Sequence, residues 1–191
     1  MIDNYVQNLS IDDLDRGGAD SIAKFLFNLW KETGGEMPDE TSPIVEYLPQ
    51  LVILETISNA TDSPDVIHVG TDTLFAKLLP QAADPKMPQP RLEIEPHYRN
   101  LVRQSYVDAS KGEARYDVIG FTYLLPNGLE WLKTERVLLP FTASSGLRWI
   151  YCYSILREAR KIKPQPDPKD RRESSPLPLD RHQLLMEDVT S

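Results

Sequence analysis

The segments Leu29-Trp30, Gly34-Gly35-Glu36-Met37-Pro38, Leu48-Pro49-Gln50-Leu51-Val52-Ile53-Leu54 and Val69-Gly70-Thr71-Asp72-Thr73-Leu74 follow one another in a chain of 191 residues, and their reading decides the fold. Just upstream and into the first of them, Ile22, Phe25, Leu26, Leu29 and Trp30 recur at helical spacing and make one apolar stripe. Asp20 or Ser21 is placed to cap that helix by accepting hydrogen bonds from N–H groups that the first turn leaves unpaired. Gly34-Gly35 supplies the stop, where positive φ is needed. Met37-Pro38 and Ser42-Pro43 predict an extended, non-helical crossing, because a residue before proline is pushed out of the helical region. Leu51 to Ile57 is a nearly continuous apolar run rich in β-branched side chains, which predicts a strand covered on both faces or central in a sheet. Residues 58–64 have turn composition, and 65–70 predict a second strand, so the two form a hairpin with a longer loop. Thr71 or Asp72 is expected to cap a short helix bearing Leu74, Phe75, Leu78 and Leu79, ended by Pro80.

Working outward, residues 1–18 are polar and acidic and read as a loosely ordered lead-in. Pro80, Pro85, Pro88 and Pro90 mark an irregular linker over 80–91. A long helix follows over about 93–111. Steps of 100° put Ile94, Tyr98, Leu101, Val102, Ser105 and Ala109 on one face, with Arg99, Asn100, Arg103, Val107 and Lys111 opposite and His97 and Tyr106 at the flanks. Three strands complete the domain: Tyr116–Leu125, Leu129–Phe141 and Leu147–Leu156. Asn127-Gly128 is a strong hairpin signal between the first two, and Ser144-Ser145-Gly146 makes a second tight connection. Lys133 and Glu135 alternate with Leu132, Thr134 and Arg136, so the first half of the middle strand reads as solvated on at least one face. Trp149, Tyr151 and Tyr153 share one face of the last strand, while Ile150, Cys152 and Ser154 share the other. The domain therefore spans 19–157. Residues 158–191, charged and then proline-rich, predict a disordered tail with too little apolar area to offset its ordering entropy. A short amphipathic helix over Asp180–Val189 is the one exception.

Composition narrows the functional classes. The net charge of −8 argues against a basic footprint for nucleic acid and against docking on anionic membrane surfaces. A single cysteine, Cys152, allows no internal disulfide and no multi-thiolate zinc site. Asp3, Asp12, Asp13 and Asp15 fall where a secretory leader needs basic and apolar residues, and no apolar run approaches a membrane span, so a cytoplasmic location is expected.

In order the elements are a helix, a hairpin, a short helix, an irregular crossing, a long helix and three antiparallel strands. This order resembles the PAS fold, a five-stranded antiparallel sheet with helices packed on one face, here preceded by an N-terminal helix. Leu29-Trp30, Gly35-x-Met37-Pro38, Leu48-Pro49-x-Leu51, Val69-Gly70-Thr71 and Leu138-Leu139-Pro140 are similar to pieces of a family of short stand-alone bacterial PAS-like proteins, over about residues 20–156. The resemblance implies a sensory or regulatory module in the α+β class, often with a small-molecule pocket between sheet and helices, and no fixed ligand.

The chemistry offered by the sequence is that of binding. Tyr98, Val102 and Ser105 could line a cavity against Tyr123, Trp131, Trp149 or Tyr151, since apolar and aromatic walls with a few hydroxyls are typical of small-molecule sites. An aromatic stripe at these periods is more often plain core. A flavin–cysteine adduct needs its cysteine on a helix beside the flavin, whereas Cys152 lies in the last strand, so none is expected. Haem would need an axial histidine; His97 and His68 read as ordinary hydrogen-bonded or exposed residues, and no cofactor or metal is expected. Ser144-Ser145-Gly146 lacks the pattern of a nucleophile elbow, Glu93 and Glu95 diverge on a helix, and no phosphate loop is present, so no catalytic residue is assigned. Any signal is expected to pass to a protein partner or a second copy through the sheet face, the N-terminal helix or a dimer contact. The rival reading is a ligand-free interaction or dimerisation scaffold.

Overall fold

The computed structural model describes residues 3–15, 18–38, 42–57, 64–78, 96–125 and 128–162. Six strands, β1 (Tyr5–Leu9), β2 (Leu51–Glu55), β3 (Val66–Val69), β4 (Arg115–Leu125), β5 (Gly128–Thr142) and β6 (Arg148–Lys161), form one open antiparallel sheet in the order β1-β4-β5-β6-β2-β3. Among the described residues three α-helices accompany it: α1 (Ser21–Glu32), α2 (Leu74–Leu78) and α3 (Pro96–Ser110). The fold is mixed α+β.

The sheet has six strands where five were expected, because the lead-in is not loose. Tyr5–Leu9 pairs residue for residue with Gly120–Tyr116 of β4, and the Thr122 N–H donates to Asn4 Oδ1 at 2.9 Å. Gly120 leaves room for this addition: a Cβ there would sit 2.4 Å from Tyr5 Cε1 and 2.9 Å from Trp131 Cζ2. At the other end β6 runs on to Lys161, past the expected boundary at 157. The expected linker over 80–91, the tail beyond 162 and its terminal helix lie outside the described residues.

Helices cover both faces of the sheet, not one. On the first face α1 lays Ala23, Leu26 and Phe27 against Val137, Leu139 and Phe141 of β5 and Tyr151 and Tyr153 of β6. On the second face α3 packs Val102 on Ile119, Phe121 and Leu132, and Ala109 on Leu138, Ile150 and Cys152. Successive strand residues point to opposite faces, so in the middle of β5 and β6 both parities are buried. Asp20 caps α1 as expected, accepting from the Ile22 N–H at 2.8 Å, and the same Oδ1 accepts from the Tyr153 hydroxyl at 3.0 Å. That carboxylate thus fixes the start of the helix to β6.

The five motif segments meet in two places. Trp30 Nε1 donates to the Pro140 carbonyl at 2.8 Å, while Gly35 and Met37 exchange backbone hydrogen bonds with Thr142. Gly34 and Gly35 both have positive φ, and beside Gly35 the Trp30 ring leaves little space. The second cluster joins Leu48-Pro49 to Val69-Gly70-Thr71. The Gly70 N–H donates to the Leu51 carbonyl at 2.9 Å and the Asp72 N–H to the Pro49 carbonyl at 2.7 Å. The crossing before β2 is not extended as expected: Pro43–Gln50 forms a 3₁₀ segment capped by Ser42. The proline rule constrains the residue before Pro43, and Ser42 is indeed extended, but a proline at the first helical position is pre-set for helix. For α2 the cap is Thr73, one or two residues later than expected; its Oγ1 accepts from the Ala76 N–H and donates to the Gly70 carbonyl.

A Cβ on Gly70 would lie 2.3 Å from the carbonyl oxygens of both Leu48 and Pro49, and backbone cannot step aside as a side chain can. Gly70→Ala is therefore expected to lower the unfolding free energy by about 1–3 kcal/mol, the usual cost of overpacking. Urea denaturation reads this directly, and an unchanged midpoint would contradict the close approach.

Candidate functional site

The second face of the sheet does not close completely. Between β2, β3, β4, β5 and β6 on one side and α2 and α3 on the other lies a cleft with a cavity volume of about 100 Å³. Its wall is largely apolar: Val52, Leu54 and Val66 come from the hairpin, Leu74, Phe75 and Leu78 from α2 and its flank, and Phe121 from β4. The polar groups are Tyr98 and Tyr106 on α3, Tyr123 on β4, Thr134 and Arg136 on β5, Cys152 and Ser154 on β6, and Gln50 and Thr73 at the ends of the hairpin.

Arg136 dominates the electrostatics. It is 1% exposed and opposite Asp117 in the β4–β5 register, and its Nη2 donates to Asp117 Oδ2 at 2.8 Å. Asp117 itself is fully buried. The Tyr106 ring lies under the guanidinium, with Cζ 4.9 Å from the ring centroid, which adds a cation–π contact. Burial alone would lower the pKa of Arg136, but Tyr106, Tyr98 and Asp117 offset it and hold the group above its ordinary value. The Tyr98 and Tyr106 hydroxyls are hydrogen-bond partners of the guanidinium, while Gln50 Oε1 and Asp117 Oδ1 are buried without one. Buried polar groups in folded proteins are overwhelmingly paired, and the buried ion pair with its two tyrosines is the most distinctive polar feature beside the cleft.

The rest of the frame is tied down around it. The C-terminal end of α3 is held by Arg148, whose Nη1 donates to the Ser110 carbonyl at 2.9 Å while its Nε donates to Thr142 Oγ1 at 3.2 Å. Ser110 Oγ in turn accepts from the Ile57 N–H at 3.0 Å. These contacts lock the long helix to β2, β5 and β6 and fix the distance from α3 to the sheet.

Of the residues singled out from sequence, the structure brings only some together. Tyr98 and Tyr123 line the cleft, and both touch Phe121 edge-on or tilted. Val102 and Ser105 are on the inner face of α3 and buried, in the core beside the cleft and not among its lining residues. Trp131, Trp149 and Tyr151 lie on the opposite face of the sheet. Tyr151 meets Phe141 edge-to-face in the core under α1, Trp149 packs at the margin of that core, and Trp131 sits beneath Arg160. Cys152 is buried, faces the cleft and has its Sγ 3.6 Å from Ser154 Oγ, with burial raising its thiol pKa. His97 is exposed at the start of α3, and His68 has its Nε2 3.1 Å from the Leu48 carbonyl oxygen; neither lines the cleft. Among the described residues no group of His, Cys, Asp and Glu is arranged to hold a metal ion, and no helix is long and apolar enough to cross a membrane.

Arg136 and its partner Asp117 were missed from sequence, as was the inward turn of Tyr106. The signal that could have found Arg136 is its parity: it shares a face with Leu132, Thr134 and Leu138, all buried on the second face. No protein-family model, curated protein or solved structure matches the chain.

Two tests follow from this geometry. Removing one member of a buried ion pair strands the other, at about 3–5 kcal/mol, while apolar replacement of both is often neutral. Arg136→Met and Asp117→Leu are each expected to destabilise by that order in urea unfolding, and the double variant to regain most of the loss. Additive losses would show the two groups to be uncoupled. The second test uses pH. Burial raises the phenol pKa values of Tyr98, Tyr106 and Tyr151, and burial with hydrogen bonds to Glu135 and Asp20 raises those of Tyr116 and Tyr153. Groups raised on folding hold protons that the unfolded chain releases, so their stabilisation is complete below about pH 10, the free tyrosine value, and lost above it. The urea midpoint should fall steeply beyond pH 10, and a flat profile to pH 11.5 would refute the shifts.

Proposed function

We propose that this chain is a cytoplasmic PAS-like regulatory module that acts by binding a small molecule between its sheet and the α2–α3 side, and passes occupancy on through protein contacts. The observation that carries this reading is the cleft itself: an apolar wall with a few convergent polar groups, one of them a buried arginine paired with Asp117. Such a combination is the default signature of a ligand site. The order of elements supports the PAS-like part, since a hairpin, short helix, long helix and three antiparallel strands follow as that resemblance implies. Because α1 and α3 cover the two faces of the sheet, contacts with a partner or a second copy would fall on outer helix surfaces or on the edge strands β1 and β3.

One observation favours the ligand-free scaffold instead. A volume of about 100 Å³ is small beside the ~300–1,000 Å³ of common ligand sites. It is nearer the roughly 150 Å³ of an engineered apolar cavity that accepts benzene, so the cleft suits a molecule about one ring in size.

Mass spectrometry of gently purified protein under native and denaturing conditions separates the readings. The module reading expects a small molecule released on denaturation, or a metabolite that raises Tm by about 5 °C at roughly a hundredfold excess over Kd. Val52→Phe, which fills the cleft from β2, should abolish either signal and leave the fold intact. No retained mass and no shift across a metabolite panel would leave the scaffold reading.

A further inference from the structure

Strand β1 differs from the rest of the sheet in how it is held. None of its five residues is buried, whereas each other strand has at least one residue in a core. Its ladder with β4 is regular from Tyr5↔Gly120 to Leu9↔Tyr116, and its apolar contacts are divided between the two faces. Val6 packs against the cluster of Val102, Ile119 and Phe121 on the α3 side, while Leu9 packs at the margin of the core under α1. Firm anchoring begins only beyond the strand. Ser10 Oγ accepts from the Asp12 N–H at 3.3 Å to start the 3₁₀ turn Ile11–Leu14, and Leu14 at its end is fully buried. Ser10 therefore stands as a hinge between a lightly held strand and a fixed turn.

Without β1 the edge of β4 would lie open along Tyr116–Gly120, and an open edge recruits another strand. The seat is selective. A Cβ at position 120 would meet the Tyr5 ring at 2.4 Å, so the glycine makes a hollow that a flat ring fills. Val6 and Leu9 serve the two faces, and Tyr5-Val6-Gln7-Asn8-Leu9 carries no charge. The same strand of another copy meets every one of these requirements with the same ladder and the same contacts. Exchange then sacrifices no pairing, and its balance is set by concentration and by the conformation of Ser10. The opposite edge offers less: β3 is four residues long and its ladder with β2 is irregular between Ile53 and Leu54, features that discourage further pairing.

We propose that the β4 edge under β1 is a self-recognition surface, and that two copies of the chain associate by exchanging β1, each strand leaving its own sheet at Ser10 and pairing with Tyr116–Gly120 of the other copy. This inference goes beyond the ligand-binding reading and does not depend on it. The two are in contact all the same, because Val6 shares its cluster with Tyr98 and Tyr123 of the cleft wall.

Gln7 and Val118 are opposite each other in the ladder, one exposed and the other half-buried. In the full-length Gln7→Cys/Val118→Cys variant a disulfide therefore forms within a chain when β1 is at home and between chains when it is exchanged; Cys152 is buried and stays in place. After equilibration over about a hundredfold range of protein concentration and brief oxidation, a non-reducing gel is expected to show the linked dimer rising several-fold at the concentrated end, as mass action requires. Mixed tagged and untagged copies should give tagged–untagged pairs. Disulfides confined to single chains at every concentration overturn the exchange. Gln7→Cys alone links only to the same position of another copy, so an equal yield of dimer from it means edge-to-edge pairing of intact sheets and overturns the exchange as well. If the double variant does not fold, sedimentation of the unaltered chain over the same range decides: a concentration-dependent dimer is expected, and a strict monomer throughout overturns the proposal. Each of these results leaves the retained-mass experiment, and with it the ligand-binding reading, untouched.

Discussion

A guanidinium and a carboxylate stand opposite each other on β4 and β5 with almost no access to water, and much of the second face is arranged around them. Removing two charges from water is expensive, and their mutual attraction offsets the cost only where geometry is good and the remaining polar atoms are satisfied. Here one carboxylate and two tyrosines surround the guanidinium. Nη2 has its carboxylate, Tyr106 covers the guanidinium plane, and the hydroxyls of Tyr98 and Tyr106 are hydrogen-bond partners of the group. An apolar pair of similar volume would stabilise the sheet as well or better, so stability alone does not account for Arg136. The cleft lies beside this pair, between the sheet and the α2–α3 layer.

Covering the sheet on both faces makes parity decisive. In β5 the side chains of Val137, Leu139 and Phe141 belong to the α1 core, while Leu132, Thr134, Arg136 and Leu138 belong to the α3 side. The alternation itself was legible in the sequence, and so was the division of β6 into Trp149-Tyr151-Tyr153 and Ile150-Cys152-Ser154. Which set faced the long helix was not. Aromatic residues suggested a cavity wall, but the large rings went to the side where α1 offers Leu26 and Phe27, and the smaller Cys152 and Ser154 went to the cleft. Period 2 fixes which residues share a face and is silent on which helix will cover it, because that depends on contacts far apart in the chain.

The parts that were legible are those with strong local causes. Asp20 as a cap, Gly34-Gly35 as a stop and the apolar runs of β2, β4 and β6 each follow from nearby residues. The parts that were not have non-local causes. Tyr5-Val6-Gln7-Asn8-Leu9 has little strand character by itself and becomes a strand by pairing with β4 across more than a hundred residues. Arg136 reads as solvated because arginine almost always is, and only the register that sets Asp117 opposite it explains its burial. The motif residues occupy a middle ground. Their identity was evident, yet the reason for it lies in space: Gly70 lets the hairpin end touch Leu48-Pro49, and Trp30 is held by the carbonyl of Pro140.

On the reading proposed above, occupancy can be passed on only through an element whose position the ligand biases, since a ligand with equal affinity for two arrangements shifts neither. The walls of the cleft differ in how firmly they are held. The sheet is continuous through six strands, and α3 is anchored at its C-terminal end by Arg148 and Ser110. By contrast α2 is five residues long, too short to be stable as an isolated helix. It is fixed at its start by the Thr73 hydroxyl, between the Gly70 carbonyl and the Ala76 N–H. It also provides much of the apolar end of the cleft through Leu74, Phe75 and Leu78. A molecule seated in the cleft against those side chains would add a contact to α2. The least firmly held wall is therefore the one on which binding has the most leverage, and Gly70, from which α2 is hung, links that wall back to the hairpin and to the segment before β2.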